Sequence, residues 1–323
     1  MAAKPKPPLT LYQHMPNTVC SDIAAVYTNR RLRKVVNVYQ TQFLDFKASG
    51  LGDYIRGSLT MLQLLRTLRK YTGHAVEFDM DLRNHPMGKW LITDTTLEVP
   101  VSYPTLGNFH IDSLLVEQDE NDIAFQHILR ETVRYFNKVS DPVFFAYSCK
   151  EHIFSDILES EKALIRSKLQ PTQAMEVYIG EALASLSLVA GNYEAIHVRL
   201  DDAICFPHAR EQSQAKMTTK LLTDVVAAVY KVIDPGRPYV LLSSNTEVKT
   251  ALSANTNIHF LNTAICHIGQ NQSQTEAETR DTLLDFFLMS RATAIHAFTT
   301  YQRTGFSLEC SKVYGIPYTV TTV

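Results

Sequence analysis

The chain of 323 residues is 45% hydrophobic and 20% charged, a balance that excludes disordered, collagen-like and coiled-coil proteins. It carries 31 Lys and Arg against 33 Asp and Glu, and the formal net charge of -2 gives no global electrostatic reason to bind nucleic acid or an anionic membrane. Its length exceeds the size at which one hydrophobic core stops growing, which predicts two domains. The five cysteines form no C-x-x-C pair, so neither a zinc site nor a disulfide framework is indicated, and a reducing compartment fits.

Residues 1–30 mix proline with polar residues, and we expect an irregular N-terminal arm there. No apolar stretch typical of a signal peptide or a membrane anchor follows it. We therefore expect a cytoplasmic or soluble intracellular protein without membrane insertion, of bacterial or viral origin.

The fold proper is predicted to begin with short β-prone runs at 35–39 and 43–46. The second run leads through a glycine turn into an apolar repeat of three- and four-residue spacing, which predicts a helix that ends at Gly73. Another β-prone run at 75–78 completes a predicted strand-helix-strand unit over residues 43–78.

The middle of the chain changes character twice. Residues 84–123 carry prolines and scattered polar residues and are predicted to be rich in loops, whereas 120–190 show a strongly helical pattern. A proline and polar residues interrupt two helical stretches at Leu169–Thr172, and we place a domain boundary near residue 170.

The second half alternates strands and helices. The predicted strands are 195–200, 239–243, 258–261, 293–298 and a last one from Pro317, and the predicted helices are 212–233, 247–253, 276–291 and 305–314. Such alternation implies a mostly parallel sheet with helices on both faces. The predicted fold class is therefore α/β, with an arm at 1–30 and two α/β domains at 31–170 and 171–323.

The segment Tyr193–Asp202 places a strand directly before a cluster of charges. His197 and Arg199 lie on the predicted strand, and Asp202 follows it. An arginine at the carboxyl end of a strand can fork onto phosphate oxygens while a following carboxylate holds its guanidinium. The alternative interpretation is an ordinary strand-end salt bridge.

Two glycine-containing turns open predicted helices. Gly50 and Gly52 precede the first long helix, and Thr304-Gly305-Phe306-Ser307 precedes the last one. Glycines, hydroxyls and free helix N-terminal amides suit a phosphate, but they also form ordinary tight turns and caps. Ile55 replaces the third glycine of the G-x-G-x-x-G pattern, and no G-x-x-x-x-G-K-[ST] occurs, which argues against a dehydrogenase or a P-loop kinase.

Three motifs together resemble the fucosyltransferase superfamily, in its α1,2, α1,6 and protein O-fucosyltransferase branches. They are Gly-Leu-Gly-Asp at 50–53, His-x-Arg-x-x-Asp at 197–202, and Asp285-Phe286-Phe287-Leu288-Met289-Ser290-Arg291-Ala292 followed by Thr304–Ser307. The resemblance covers residues 43–78 and 193–318. It implies the GT-B architecture, in which two Rossmann-like α/β/α domains face each other across a cleft, with 31–170 on the acceptor side and 171–323 binding a nucleotide sugar.

The resemblance also implies roles for residues of the second domain. Arg199 is expected to bind the β-phosphate of the donor, and His197 and Asp202 are expected to shape that site. Leu200 and Asp201 stand where some members carry a second arginine and a glycine. This departure weakens the identification of GDP-fucose as the donor more than it weakens the identification of a glycosyltransferase. The diphosphate is expected to face Thr304, Gly305, Phe306 and Ser307, and fold position alone assigns the base and ribose pocket to Ser244, Asn245, Asn262 and Thr263.

In the first domain, Asp53 falls where protein O-fucosyltransferases carry an asparagine beside the glycines. A carboxylate there is expected to act as general base on the acceptor hydroxyl, and the alternative is that Asp53 caps the following helix. Gly50 and Gly52 would form the turn beside the phosphates. Arg83, Asn84 and His85, after the next strand, are expected to contact acceptor sugar.

A rival motif is Asp79-Met80-Asp81, which spells the D-x-D of metal-dependent glycosyltransferases. Short D-x-D strings are common by chance, and local pairing of these acids with Arg83 is the simpler explanation.

The prediction is therefore an inverting glycosyltransferase that needs neither metal nor cofactor. Its donor would be GDP-fucose or a related nucleotide sugar, and its acceptor a glycan or glycoprotein hydroxyl, with no nucleic-acid partner. The alternatives are a metal-dependent transferase that uses Asp79 and Asp81, and a non-catalytic glycan-binding or structural protein that keeps the fold.

Overall fold

A computed structural model provides the structure of the chain. It describes residues 18–39, 42–43, 46–47, 50–93, 96–98, 123–149, 157–200, 217–263, 275–301 and 304–323. Within those ranges, none of the helices combines the length and the apolar composition that crossing a bilayer requires.

The described helices and strands are numbered here in chain order. The α-helices are α1 (Thr18–Val26), α2 (Leu51–Thr72), α3 (Ile123–Lys138), α4 (Glu159–Lys168), α5 (Gln173–Ser185), α6 (Thr219–Tyr230), α7 (Thr246–Leu252), α8 (Glu276–Ser290) and α9 (Gly305–Tyr314). The strands are β1 (Lys34–Val38), β2 (Gln42–Phe43), β3 (Phe46–Lys47), β4 (Glu77–Asp81), β5 (Val143–Ala146), β6 (Glu194–Arg199), β7 (Tyr239–Ser243), β8 (Ile258–His259), β9 (Ile295–Thr299) and β10 (Tyr318–Thr322). A short 3₁₀ helix spans Pro86–Trp90.

The N-terminal half contains a parallel three-stranded sheet in the order β4-β1-β5. The predicted helix is confirmed as α2, and it ends at Gly73, whose φ of 65° is the left-handed conformation that glycine adopts at helix ends. The strand that precedes α2 in the strand-helix-strand unit is β1, because 42–43 and 46–47 pair with each other as an antiparallel hairpin. The prediction that 43–46 forms this strand is therefore wrong.

Two elements of this half differ from the sequence-based expectation. The expected irregular arm contains helix α1, and Ile23 of this helix and Tyr27 directly after it are buried in one cluster with Leu129 of α3. Tertiary burial stabilises a short helix that local propensity does not predict. The stretch predicted to be helical contains β5, because a run of four residues is too short for periodicity to distinguish a strand from a buried helix.

The C-terminal half contains a parallel five-stranded sheet in the order β10-β9-β6-β7-β8. The predictions for β7 and α9 are confirmed to the residue, and the other predicted strands and helices of this half are present with shifted ends. The order is that of a doubly wound sheet: β7 and β8 are added on one side of β6, and β9 and β10 on the other, so the strand order reverses between β6 and β9. Together the two sheets confirm the α/β class.

The two halves share one hydrophobic core. A single buried cluster includes Val36 and Tyr54 of the first half and Ala195, Val240 and Leu284 of the second. Helix α4 packs against both α2 and α9, and α2 packs directly against α9. This packing brings the amino ends of α2 and α9 together, whereas the division of the chain near residue 170 stays a prediction.

Candidate functional site

The reversal between β6 and β9 places polar residues at one edge of the C-terminal sheet. Arg199, the half-buried last residue of β6, lies opposite Thr299, the buried last residue of β9. In open α/β sheets, ligands bind in the crevice that such a reversal opens beyond the carboxyl ends of the strands. The structure thus places Arg199 where the sequence analysis expects a phosphate-binding arginine, while Asp202 lies outside the described residues.

His197 connects this strand end to helix α9. Its ring is buried, and its Nδ1 atom lies 3.0 Å from the hydroxyl of Ser307 and 3.4 Å from that of Thr304. The Thr304 and Ser307 hydroxyls also hydrogen-bond to each other. Burial, reinforced by the charge of Arg199, lowers the pKa of His197 to about 3, so the ring is neutral at pH 7. His197 therefore fixes the amino end of α9 beside β6 without adding charge.

The first turn of α9 carries the residues predicted to face a diphosphate. Thr304 is the N-cap residue, and its own side chain makes no capping hydrogen bond to the first amides of the helix. The first amides of a helix lack an intrahelical acceptor and form a site of positive potential. The hydroxyl of Ser307 faces His197 and is fully buried. The Phe306 ring packs on the Phe286 ring, with 5.5 Å between the ring centroids. The backbone of this turn is therefore the part that a ligand could contact.

The amino end of α2 lies directly against this turn. A Cβ atom on Gly52 would lie 2.5 Å from the carbonyl carbon of Gly305 and 2.7 Å from the Phe306 nitrogen. Two backbones approach this closely only when glycine leaves the space between them. The two predicted glycine turns thus contact each other, and this contact joins the two halves of the chain.

Asp53 lies in the first turn of α2 rather than at its cap. Gly50 is the N-cap residue, so the alternative that Asp53 caps the helix is wrong. Its side chain is 36% exposed, and its Oδ1 atom lies 3.2 Å from Nη2 of Arg56 and 3.5 Å from the Cβ position of Gly305. The carboxylate therefore stands at the surface beside the first turn of α9, while its role as a base stays a prediction.

A second, narrow polar crevice lies beside the carboxyl half of β7, and it is closed to a molecule the size of water. Ser243, Lys249, Leu261, Thr263 and Asp285 line it together with apolar residues of β7 and α8. Lys249 Nζ donates to the Leu261 carbonyl at 2.7 Å. Burial, with a smaller contribution from Asp281, raises the pKa of Asp285 to about 7 against the opposing charge of Lys249.

The other residues predicted for the base and ribose pocket lie near this crevice. Asn245 is buried and caps α7, because its Oδ1 accepts from the Val248 amide at 2.9 Å. Ser244 is half-buried and Asn262 is exposed. Thr263 is the member of the predicted set that lines the crevice, and the contact of all four with a nucleotide stays a prediction.

Sequence reasoning did not assign Lys249 or Asp285 to the site. Asp285 entered only as part of a family motif, although it is the single acid within Leu283-Leu284-Asp285-Phe286-Phe287-Leu288. A lone carboxyl in an apolar helical run predicts a buried titratable group, and that signal was available. Lys249 gives no comparable signal, because its burial depends on the packing of α7 against β7.

The D-x-D carboxylates are each paired with cations. Asp79 lies 2.6 Å from Lys168 Nζ and 3.6 Å from Lys34 Nζ, and Asp81 accepts two hydrogen bonds at 3.0 Å from Nε of Arg83. The expected pairing of both acids with Arg83 is confirmed for Asp81 and is wrong for Asp79, whose partners are lysines. Among the residues that the structure describes, no group of three or more His, Cys, Asp or Glu side chains has the geometry to hold a metal ion.

The three residues predicted to meet acceptor sugar differ in exposure. Asn84 is exposed and Arg83 is half-buried. His85 is buried, stacks on Tyr39 at 4.4 Å, and accepts a hydrogen bond from the Met87 amide through Nδ1. This environment favours a structural role for His85, and the contact of all three with an acceptor stays a prediction.

Known proteins similar to this chain are found among solved structures. No protein-family model and no curated protein matches the sequence. The chain is similar to the fucosyltransferase NodZ from Bradyrhizobium, with 12% identity over 86% of this chain and 92% of that one and a TM-score of 0.48. A mutant of Arabidopsis thaliana FUT1 in complex with GDP is 12% identical over 90% of this chain and 70% of its own, with a TM-score of 0.48. POFUT1 in complex with GDP is 12% identical over 93% and 78%, with a TM-score of 0.34.

Proposed function

We propose that this chain is a GT-B glycosyltransferase that moves fucose or a similar sugar from a GDP-linked donor to a hydroxyl of a glycan or a protein. The transfer inverts the anomeric configuration and uses no metal ion. One observation carries the proposal: Arg199 ends β6 where the strand order of a doubly wound sheet reverses, two residues after His197, whose ring contacts the first turn of α9. The Asp53 carboxylate faces that turn from the other half of the chain.

The diphosphate of the donor binds to Arg199 and to the first-turn amides of α9. As the bond between the sugar and the β-phosphate breaks, negative charge accumulates on the departing nucleoside diphosphate. A guanidinium fork and oriented helix amides stabilise that charge more in the transition state than in the bound donor. Fixed positive groups of this kind make a divalent cation unnecessary.

The nucleobase binds at the crevice beside the carboxyl half of β7, which has to open to admit it because its lining leaves no space for a molecule the size of water. Asp285 presents a buried carboxyl there, and an ionised carboxylate accepts two parallel hydrogen bonds. Guanine offers the matching pair of donors on one edge, N1–H and the N2 amino group, whereas uracil and adenine do not place two donors side by side. This chemistry supports GDP rather than UDP or ADP as the nucleotide.

Asp53 removes the proton from the acceptor hydroxyl. The hydroxyl oxygen bonds to the anomeric carbon from the side opposite the diphosphate, its proton passes to the Asp53 carboxylate, and GDP leaves with the electron pair of the broken bond. Inversion needs only this one base. Asn84 and Arg83 contact the acceptor, and His85 supports their loop.

A metal-dependent reaction at the D-x-D is less well supported. Asp79 and Asp81 already neutralise Lys168, Lys34 and Arg83, so a metal ion would have to displace those partners. Binding there would leave half-buried cations without their counter-charges, which is costly.

The proposal is tested with a panel of GDP, UDP and ADP, each with and without EDTA. GDP should raise the melting temperature because a ligand that binds only the native state stabilises it, by about 2.7 kcal/mol at one hundred times its Kd. GDP-fucose should be hydrolysed or transferred at the same rate in EDTA. A shift with UDP or ADP but not with GDP would reject the donor, and a strict requirement for Mg²⁺ or Mn²⁺ would favour the D-x-D mechanism.

A further inference from the structure

Arg56 joins the two halves of the chain at the candidate site. It lies one turn after Asp53 on α2 and is buried, with 5% of its side chain exposed. Its Nε donates to Oε1 of Glu309 on α9 at 3.2 Å, and its Nη2 lies 3.2 Å from Oδ1 of Asp53. One guanidinium therefore holds a carboxylate of its own helix and a carboxylate of the facing helix.

The Arg56–Glu309 pair is poorly built for stability. Glu309 is fully buried, and its Oε2 atom has no hydrogen-bond partner among the groups that the structure describes. Burial raises the pKa of Glu309 even though Lys312 and Arg56 oppose that shift. Apolar residues of similar volume often replace such buried ion pairs without loss of stability, so the pair calls for an explanation other than stability.

The location of the guanidinium supplies that explanation. Its Nη2 atom occupies the space where a Cβ atom of Gly305 would lie, directly against the first residue of α9. Arg56 therefore touches the turn proposed to bind the diphosphate and, through Nη2, the carboxylate proposed to act as base. Its contact with Glu309, one turn further along α9, sets how far α2 stands from that turn.

We infer that Arg56 and Glu309 are positioning residues that fix the first turn of α2 against the first turn of α9 and hold the Asp53 carboxylate at the sugar. The role of Asp53 in this inference rests on the proposed function, whereas the geometry of the two turns does not depend on it. Arginine is required because its planar fork contacts both carboxylates at once, whereas the single ammonium of lysine does not reproduce two directed contacts.

The test compares three variants with the wild type. Arg56→Met with Glu309→Leu replaces the pair by apolar side chains, Arg56→Lys keeps one charge, and Arg66→Met is the matched control. Arg66 also lies on α2 and forms an ion pair with a neighbouring helix, through Glu161 of α4, but it is far along the helix from Asp53. Each variant is measured for melting temperature, GDP affinity and kcat with GDP-fucose.

The apolar double variant should keep its melting temperature and its GDP affinity while kcat falls about 100-fold, the cost expected when a reacting group is misplaced by a fraction of an ångström to one ångström. Arg56→Lys should also lose kcat while it keeps its GDP affinity, and Arg66→Met should keep the wild-type kcat. Wild-type kcat in the double variant overturns the inference. If the double variant does not fold, wild-type kcat in folded Arg56→Lys overturns it equally.

Hydrogen exchange separates this inference from the proposed function. The amides of Tyr54 and Leu308 make the first intrahelical bonds of α2 and α9, to the carbonyls of Gly50 and Thr304 at 3.1 and 3.2 Å. Both amides should exchange faster in Arg56→Lys than in the wild type or in Arg66→Met. Unchanged exchange overturns the positioning role whatever the activity, whereas a wild type that binds no GDP rejects only the proposed function.

Discussion

Asp285 shows how one side chain can link stability, pH and ligand binding. Its carboxyl is buried in the crevice beside β7, and its pKa of about 7 lies well above the ordinary value of 3.8. The ionised form is therefore disfavoured in the folded chain, and each pKa unit of such a shift corresponds to about 1.4 kcal/mol. This cost is absent below pH 3.8, grows as the pH rises, and is complete above pH 7.

We expect Asp285→Asn to raise the free energy of unfolding at pH 8 and to leave it unchanged near pH 4, because asparagine removes the cost of ionisation. The same variant should lose GDP affinity at pH 8, since a carboxylate accepts two hydrogen bonds from guanine and an amide does not. Wild-type GDP affinity should itself fall as the pH drops below 7. Denaturation with urea and titration calorimetry at both pH values measure these effects.

Asp224→Asn, which neutralises an exposed carboxylate on α6, is the control and should change neither quantity. Wild-type GDP affinity in Asp285→Asn at pH 8 would remove Asp285 from the base pocket. It would leave the assignment of Arg199 untouched.

At the scale of elements, the contact between α2 and α9 determines the site. The two helices approach through glycines, since Gly52 meets the backbone of Gly305 and Phe306. Their amino ends therefore meet, and two positive helix ends repel each other unless negative charge lies between them. Asp53 supplies part of that charge in the free protein, and we expect the donor diphosphate to supply more.

We expect Gly52→Ala to destabilise the chain and to lower transfer activity, because its Cβ atom would lie within 2.7 Å of three backbone atoms that cannot rotate away. The matched control is Gly180→Ala in the middle of α5, where the added Cβ meets no atom within 4 Å. That variant should gain about 0.5–1 kcal/mol from helix propensity. Thermal unfolding and turnover with GDP-fucose measure both, and a silent Gly52→Ala would show that the two turns separate freely.

At the scale of the whole molecule, the sequence predicts the C-terminal half well and the N-terminal half less well. The strand Tyr239–Ser243 is an apolar run as far as Leu242 and lies between turns, and that pattern identifies a buried parallel strand. By contrast, β5 is only four residues long, and α1 depends on contacts with α3 that no local pattern encodes.

The candidate site is likewise predictable from the sequence only in part. The positions of Arg199 and of the α9 turn are predictable, because the carboxyl ends of parallel strands meet at one edge of a sheet. The pairing of Arg56 with Glu309 joins residues 253 positions apart and depends on how two helices pack. The alternative that Asp53 caps α2 is wrong because the helix starts at Leu51, two residues before Asp53.

The central claim is that Arg199 stabilises the departing diphosphate, and its removal tests that claim most directly. The measurement is kcat/KM for transfer from GDP-fucose by Arg199→Ala, beside Arg237→Ala as control. Arg237 pairs with Glu194 at the opposite end of the same strand, and 58% of its side chain is exposed. We predict a loss of about 100-fold or more in Arg199→Ala with an unchanged melting temperature, and wild-type values in Arg237→Ala. Wild-type kcat/KM in folded Arg199→Ala would contradict the account.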